Sequence, residues 1–471
     1  MKHCRVVIAI MGLLFLSCHH IDHKSGAQPT PFTGADGEVR LMVLAPGHFH
    51  ANLLQKRSMR QVNDSVSVYA LSHDDAGVRQ YLSAVESFNN RKEDPTTWKE
   101  FVYAGHDFLD KMVSDRKGNV VVLAGNNREK TEYILRAVEA GFNVLSDKPM
   151  AIDRNDFLLL KQAYVTADSL NVLLYDMMTE RYDVLNIIEK ALINDAGFFG
   201  ELAQGTPDDP AVYMESVHHF YKELSGTPLI RPAWYYDVRQ QGEGIVDVTT
   251  HLIDLLFWKC FPDRPIDYRT DITDIAATHQ ATDITLEQFT KSTGETAFPD
   301  YLQKYSDGSL LKVYANGSLR FNVKNHHVGL KVTWNYQAPQ GGGDTFISTL
   351  KGTKALLKTL QNKEQNFVKQ LYAQKAEEID EQAFVENLQK AIGKIGAKYP
   401  FVSISPTSDK GVYLINIPLE NREGHESHFK YVAESFFNYL VSRDMPPWEV
   451  PNTLAKYYIT TTASSKARDP K

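Results

Sequence analysis

Cysteine is nearly absent: three residues in 471, at positions 4, 18 and 260. The first two fall in the N-terminal segment, so the rest of the chain holds Cys260 alone and no internal disulfide framework is available to it. Beyond that segment no apolar run is long enough to cross a bilayer. Excess positive charge is missing too. The formal net charge is −7, which offers no electrostatic basis for binding nucleic acid. Internal repeats and low-complexity runs are also lacking. What is there is a globular composition, 43% hydrophobic and 23% charged, in a chain long enough for two or three domains. The 23 tyrosines fit a carbohydrate-type binding surface.

Lys2 and Arg5 precede an apolar run over residues 6–16, then Ser17 and Cys18. This order of a basic, an apolar and a small-residue region predicts a secretory signal peptide over 1–17. Phe15-Leu16-Ser17-Cys18 resembles a bacterial lipoprotein signal, which makes Cys18 the lipidated residue and 18–37 a polar tether. The expectation is an exported periplasmic or cell-envelope protein held to a membrane through Cys18.

From residue 39 short apolar strands alternate with helical stretches. Strands are predicted over 39–44, 65–71, 119–124, 142–145 and 172–175, and helices from 48 and over 79–88, 131–140 and 153–170. A polar insertion separates 88 from 98. This alternation predicts an α/β fold with a doubly wound parallel sheet over 38–178. The pattern then changes. Helices are expected over 183–193 and 245–259. Strand-like runs follow at 267–275, 309–314, 318–323, 328–336, 345–348 and 411–417. They predict a C-terminal α+β domain over 179–471 with an open, mostly antiparallel sheet. A charged helical insertion is expected at about 361–400, and final helices over 427–441 and 451–464.

Three stretches carry chemistry. After the first strand, where a dinucleotide-binding fold places Gly-x-Gly-x-x-Gly, the chain reads Ala45-Pro46-Gly47-His48-Phe49-His50 and keeps only the middle glycine. Gly47, His48 and Phe49 are candidate cofactor contacts. His48 and His50 have no cysteine or carboxylate at matching spacing, so no metal is expected. The second strand is followed by Asp74 and Asp75, and Asp74 is the candidate for the ribose hydroxyls. Asn126 and Asn127 follow the third predicted strand and Asp147-Lys148-Pro149 the fourth; ligands in such sheets bind at strand C-termini. In Gly242-Glu-Gly-Ile-Val-Asp-Val-Thr-Thr-His-Leu-Ile-Asp254, the spacing of Asp247, His251 and Asp254 places them on one helix face. An Asp one turn before a buried His can hold the imidazole in one tautomer for proton transfer.

Asn119 to Asn127, Ala140-Gly-Phe-Asn-Val-Leu-Ser-Asp-Lys-Pro-Met-Ala151 and Gly242 to Asp254 occur in order. Together they resemble the glucose–fructose oxidoreductase and inositol dehydrogenase (Gfo/Idh/MocA) family, in an exported branch found in Bacteroidetes. Asp147 stands where the family's Glu-Lys-Pro motif has Glu. Lys351-Gly-Thr-Lys-Ala355 resembles a late turn of the family's sheet domain. The resemblance implies a Rossmann domain followed by an open antiparallel sheet, and NAD or NADP, tightly bound, as cofactor. It implies Lys148 at the cofactor–substrate junction with Pro149 beside it, His251 as general acid/base, and Asp247 completing the site. Ala45, Pro46 and His50 depart from the family's glycine loop.

Arg181, His218 and Trp234 are candidate substrate contacts, and Asp254 a buried partner of the helix or substrate pocket. The expected activity is hydride transfer between nicotinamide and a ring hydroxyl or keto group of a sugar, glycoside or cyclitol. Two alternatives stand beside it: an NAD-dependent glycosidase acting through transient oxidation, and a non-catalytic sugar-binding lipoprotein. Association of copies through the C-terminal sheet is a further expectation.

Overall fold

The structure, a computed structural model, describes residues 31–224 and 227–469. The expected signal peptide, Cys18 and the tether up to residue 30 lie outside the described residues. The first half runs β1 (Leu41–Leu44), α1 (His50–Leu53), β2 (Ser65–Ala70), α2 (Ala76–Asn90), β3 (Lys99–Ala104), α3 (Phe108–Asp115), β4 (Val120–Leu123), α4 (Lys130–Glu139), β5 (Asn143–Ser146), α5 (Arg154–Leu170) and β6 (Leu174–Asp176). The six strands form one parallel sheet in the order β3-β2-β1-β4-β5-β6. This is the doubly wound arrangement expected, with its crevice where the order reverses between β1 and β4. β1, β4 and β5 are buried along their whole length, as their unbroken apolar or small-residue runs require.

Two elements had no sequence signal. β3 is an edge strand of mixed polarity (KEFVYA) with no fully buried residue, so its pattern carries little hydrophobic contrast. α3 is a short helix beside it.

The helix expected from residue 48 is also cut to the four residues of α1. The face of the sheet that a longer helix would cover is closed from the other end of the chain.

The second half runs α6 (Val184–Ile193), β7 (Val212–Tyr221), a small hairpin of β8 (Glu223–Leu224) and β9 (Thr227–Pro228), α7 (Gly244–Asp247), α8 (Thr249–Cys260), β10 (Ile272–Thr285), α9 (Leu286–Thr293), β11 (Leu310–Val323), β12 (His326–Gln337), β13 (Thr345–Lys351), β14 (Ala355–Gln361), β15 (Gln370–Lys375), α10 (Glu381–Gly396), β16 (Ser403–Pro406), β17 (Val412–Asn416), α11 (His425–Ser442) and α12 (Glu449–Arg468). Nine strands make one open sheet in the order β10-β11-β12-β7-β13-β14-β15-β17-β16. Every neighbouring pair is antiparallel except β12–β7.

Two expectations are corrected here. The strands expected at 309–314 and 318–323 are one strand, β11, continuous through Gly317. A Cβ at Gly317 would meet Ile245 Cγ1 at 2.5 Å, and one at Gly244 would meet the Ala315 carbonyl at 2.0 Å. These glycines let α7 lie directly on β11. The helical insertion about 361–400 is only partly helical. Gln370–Lys375 is β15, paired with β14 and β17 inside the sheet, and α10 alone is the helix.

α11 supplies the missing cover for the first sheet. Phe429, Val432, Ala433, Phe436, Phe437 and Leu440 form one apolar stripe at helical spacing. They share a core with Val39, Leu41, Val43, Val66, Val68, Val120 and Val122. Replacing the fully buried Phe436 by Ala should therefore cost about 3–5 kcal/mol in urea or guanidinium unfolding. The exposed Leu419→Ala should change stability by less than about 0.5 kcal/mol in the same measurement.

Candidate active site

The C-terminal ends of β1, β2 and β4 open onto a cleft of about 450 Å³. It is lined by the loop Ala45-Pro46-Gly47, by Leu71 and Asp75, by Asn126 and Arg128, and by Trp234 and Gln240 from the second half. Glycines let the three strand ends close on one another. A Cβ at Gly125 would lie 2.3 Å from the Ala45 carbonyl, and one at Gly77 would lie 2.5 Å from the Pro46 carbonyl. Gly47 faces Gly125 and Asn126 more loosely, with Trp234 on its other side.

β5 delivers Asp147, Lys148 and Pro149 beside this cleft, with a cis peptide between the last two. Lys148 Nζ bonds Asp247 Oδ1 at 2.6 Å and the Asp247 carbonyl at 3.3 Å. Burial raises the Asp247 carboxyl, but the Lys148 charge and hydrogen bonds from Lys148 and Gln241 outweigh it, so the acid stays below its ordinary range. Asp247 therefore pairs with Lys148 and does not orient His251. The helix explains the difference. Its hydrogen bonding tightens between α7 and α8, where His251 N–H reaches back to the Val248 carbonyl, and among the described residues His251 Nδ1 is left buried with no hydrogen-bond partner. Burial, then the neighbouring Lys148 charge, push this imidazole down to about 3, against the opposing pull of Glu180. It is neutral at ordinary pH and free to accept a proton.

A second cluster touches the first through the chain itself. His48 Nδ1 lies 3.0 Å from Asp147 Oδ2, and His50 Nδ1 lies 2.9 Å from Asp147 Oδ1. His50 is buried, and that burial pushes it down to about 3. Burial opposes ionisation of Asp147, but the two imidazoles hold its carboxyl well below the usual range. The carboxylate that spacing alone did not supply to His48 and His50 comes from about a hundred residues downstream.

Other candidates are rearranged. Asp74 is exposed and does not line the cleft. Asp75 does, but its carboxylate caps α2 by accepting from the Gly77 and Val78 amides. Asn126 lines the cleft and donates to Gln240 Oε1 at 2.7 Å. Asn127 is buried, donating to the Gln241 carbonyl and accepting from Lys130. Phe49 is half exposed beside the loop. Trp234 packs on Gly47, at the cofactor loop, where a substrate contact had been expected.

Arg181 is not available to a substrate. It is buried, grips Asp254 through two bonds of 2.7 and 2.6 Å, and gives a third of 2.6 Å to Glu449. Asp254, expected as a helix or pocket partner, is that ion pair's other half and is also reached by Lys456 at 3.2 Å. His218 stacks on Trp334 with ring centroids 4.9 Å apart and lies 3.5 Å from Asp344. Asp344 also bonds His219 at 2.9 Å and pairs with Lys222. Sequence reasoning missed Lys369 and His425, while Glu180 adjoins the candidate Arg181 after the last strand of the first sheet. The Glu180–Lys369 pair, 3.3 Å apart, and His425 all act electrostatically on the region of His251. Neither Lys369 nor His425 sits on a periodic pattern or in a recognisable motif that could have signalled it.

The donor set fits a nicotinamide dinucleotide lying along β1, β2 and β4. The cleft has glycine-lined walls, and Arg128 supplies a cation. The loop departs from a full glycine loop in one respect: the Gly47 and His48 amides both donate to the Ala124 carbonyl, at 3.1 and 3.2 Å. Among the described residues no helix is long and apolar enough to cross a membrane.

The family described as "Putative oxidoreductase C terminal domain" matches residues 188–468. A crystal structure titled as a "putative oxidoreductase" from Parabacteroides merdae ATCC 43184 is 47% identical, with a TM-score of 0.92 over 94% of this chain and 100% of that one. More distant folds include the WlbA dehydrogenase from Bordetella pertussis in complex with NADH and UDP-GlcNAcA, at 15% identity and TM-score 0.53, over 94% of this chain and 98% of that one. Levoglucosan dehydrogenase in complex with NADH and L-sorbose is 11% identical with TM-score 0.56, over 91% and 97%. At such identities the last two speak for the fold alone. The comparison with curated proteins found no match.

Two outcomes follow from this geometry. Asp254→Asn leaves the buried Arg181 and Lys456 short of a counter-charge and should cost about 3–5 kcal/mol of stability by urea titration. His50 and His251, held down to about 3 in the fold, regain a pKa of about 6.5 when unfolded. The unfolded chain then binds more protons between those values. The stability these groups contribute is therefore complete above about pH 6.5 and is lost as pH falls toward 3. The Tm should drop on acidification from pH 7 to 4.5, and less steeply in His251→Gln.

Proposed function

The chain belongs to the Gfo/Idh/MocA family of oxidoreductases, and on that premise we propose that it moves a hydride between NAD or NADP and a ring hydroxyl or keto group of a sugar, glycoside or cyclitol. The observation that carries this reading is the Lys148–Asp247 pair, with His251 near enough to feel the Lys148 charge and its Nδ1, among the described residues, unpartnered.

When bound, the nicotinamide ring supplies the hydride acceptor or donor. The chain supplies the rest. Asp247 holds the Lys148 ammonium in place, so that it can hydrogen-bond a substrate oxygen and stabilise the negative charge growing there. His251 accepts the hydroxyl proton in the oxidation direction and returns it in the reverse direction. Gly47, Asn126, Arg128 and Trp234 line the side of the cleft where the dinucleotide would lie.

Export with a lipid anchor at Cys18 is part of the same proposal. Free nicotinamide cofactor is scarce outside the cytoplasm, so the cofactor would stay bound and be recycled on a second sugar or keto-sugar. A binding-only protein is the second reading. It is favoured by one feature, the engagement of the Gly47 and His48 amides by Ala124.

Denaturing the purified protein and measuring the absorbance and mass of released nucleotide separates the two. Released NAD or NADP is expected. A protein that arrives empty and binds neither cofactor when offered it would sink the oxidoreductase reading. His251→Ala should lower kcat by about 10²–10⁴-fold with the cofactor still bound. Full turnover in that variant would remove His251 from the chemistry.

A further inference from the structure

We propose that His48, His50 and Asp147 bind one divalent transition-metal cation at the tip of the β1 loop, through one nitrogen of each imidazole and a carboxylate oxygen. This inference rests on the geometry of these three side chains and not on the oxidoreductase reading.

The donor atoms already converge. All three lie within 4.8 Å of one another, and each His Nδ1 is about one hydrogen-bond length from its own oxygen of Asp147. Ligands bonded at 2.0–2.1 Å to a tetrahedral cation sit roughly 3.3 Å apart; the two His–Asp distances are already close to that, and side-chain rotation closes the remaining separation. Two imidazoles and one carboxylate form a borderline donor set. It suits zinc, iron, cobalt or nickel better than magnesium or calcium, which prefer oxygen alone.

The cluster is also held rigid. His50 packs on Phe429 with ring centroids 4.5 Å apart and on His425 at 5.6 Å, so α11 fixes its ring from behind. Asp147 is buried at the end of a central strand.

The charges around Asp147 point the same way. Among the described residues its carboxylate has no hydrogen-bond partner other than the two histidines. The nearby lysines are directed elsewhere: Lys130 Nζ bonds the Asp147 backbone carbonyl at 3.2 Å and Asn127 Oδ1, and Lys148 turns away to Asp247. A cation between the three would be held by both imidazoles and the carboxylate at once, in place of the His–Asp hydrogen bonds.

Three protein ligands leave at least one coordination position open. His48, the most accessible of the three with a side chain 28% exposed, marks the open side. The outer ligand at that position is a water or another oxygen donor.

The test uses the full chain, stripped with a chelator and dialysed against micromolar Zn²⁺ or Co²⁺. One equivalent per chain is expected by elemental analysis. The Co²⁺ form should show visible d–d absorption, and the metal should raise the Tm. Asp147→Asn keeps the side-chain shape, and with His50→Ala it should weaken binding at least about 100-fold and abolish the Tm shift. His48→Gln, at the most exposed ligand, serves the same purpose if the buried variants do not fold. Uptake below a tenth of an equivalent for Zn²⁺, Co²⁺, Ni²⁺ and Mn²⁺ alike would overturn the proposal. So would one equivalent that persists unchanged in the ligand variants. In either case Asp147 would serve only to hold two core histidines in fixed tautomers.

Discussion

The apolar stripe of α11 against the first sheet is the contact on which the rest of the molecule depends. A doubly wound sheet must be covered on both faces, because its central strands are apolar on both sides. Here the first crossover contributes a single helical turn, α1, and together with α2 it covers only part of that face. Phe429, Phe436 and their neighbours fill it from some 370 residues further on. The N-terminal sheet is therefore not a self-sufficient body. Its core is completed only when the C-terminal part has folded back across it, and the start of α11 is thereby drawn to the β1 loop.

That return path sets the composition of the site. The β1 loop brings His48 and His50, the end of β5 brings Asp147 and Lys148, the α7–α8 junction brings Asp247 and His251, and α11 brings His425. Four distant stretches meet at one edge of the crevice. Shortening α1 also frees the third loop position from the need for glycine. In a full-length helix packed against β1, a side chain there would collide with the sheet. With only one turn to place, the chain accommodates the His50 ring between Asp147 and Phe429.

Buried charge is handled by strict pairing. Arg181 is matched by Asp254 and Glu449, Lys456 by Asp176 and Asp254, and Lys259 by Glu189. Each pair joins elements far apart in the chain, so each specifies a packing arrangement more than it adds stability. Asp247 and Asp254, seven residues or about two turns apart, illustrate the division. One faces Lys148 at the cleft, and the other locks the helix against α12.

The sequence alone determined the alternation of strands and helices, the change to an antiparallel sheet, and the choice of Lys148, Asp247 and His251 as candidates. Those features are local: apolar periodicity, turn residues and short motifs at fixed spacing, all legible over a dozen residues. β3 was illegible because an edge strand of mixed polarity has no contrast. β15 was hidden because its flanks are charged. Only the tertiary structure decided which partners the charged groups take. It turned Asp247 from His251 to Lys148, withdrew Arg181 into an ion pair, and set Asp147 against two histidines. The physical reason is distance along the chain. A hydrogen bond between groups a hundred residues apart leaves no periodic trace in either segment, and its geometry exists only after the two sheets and α11 have closed on one another.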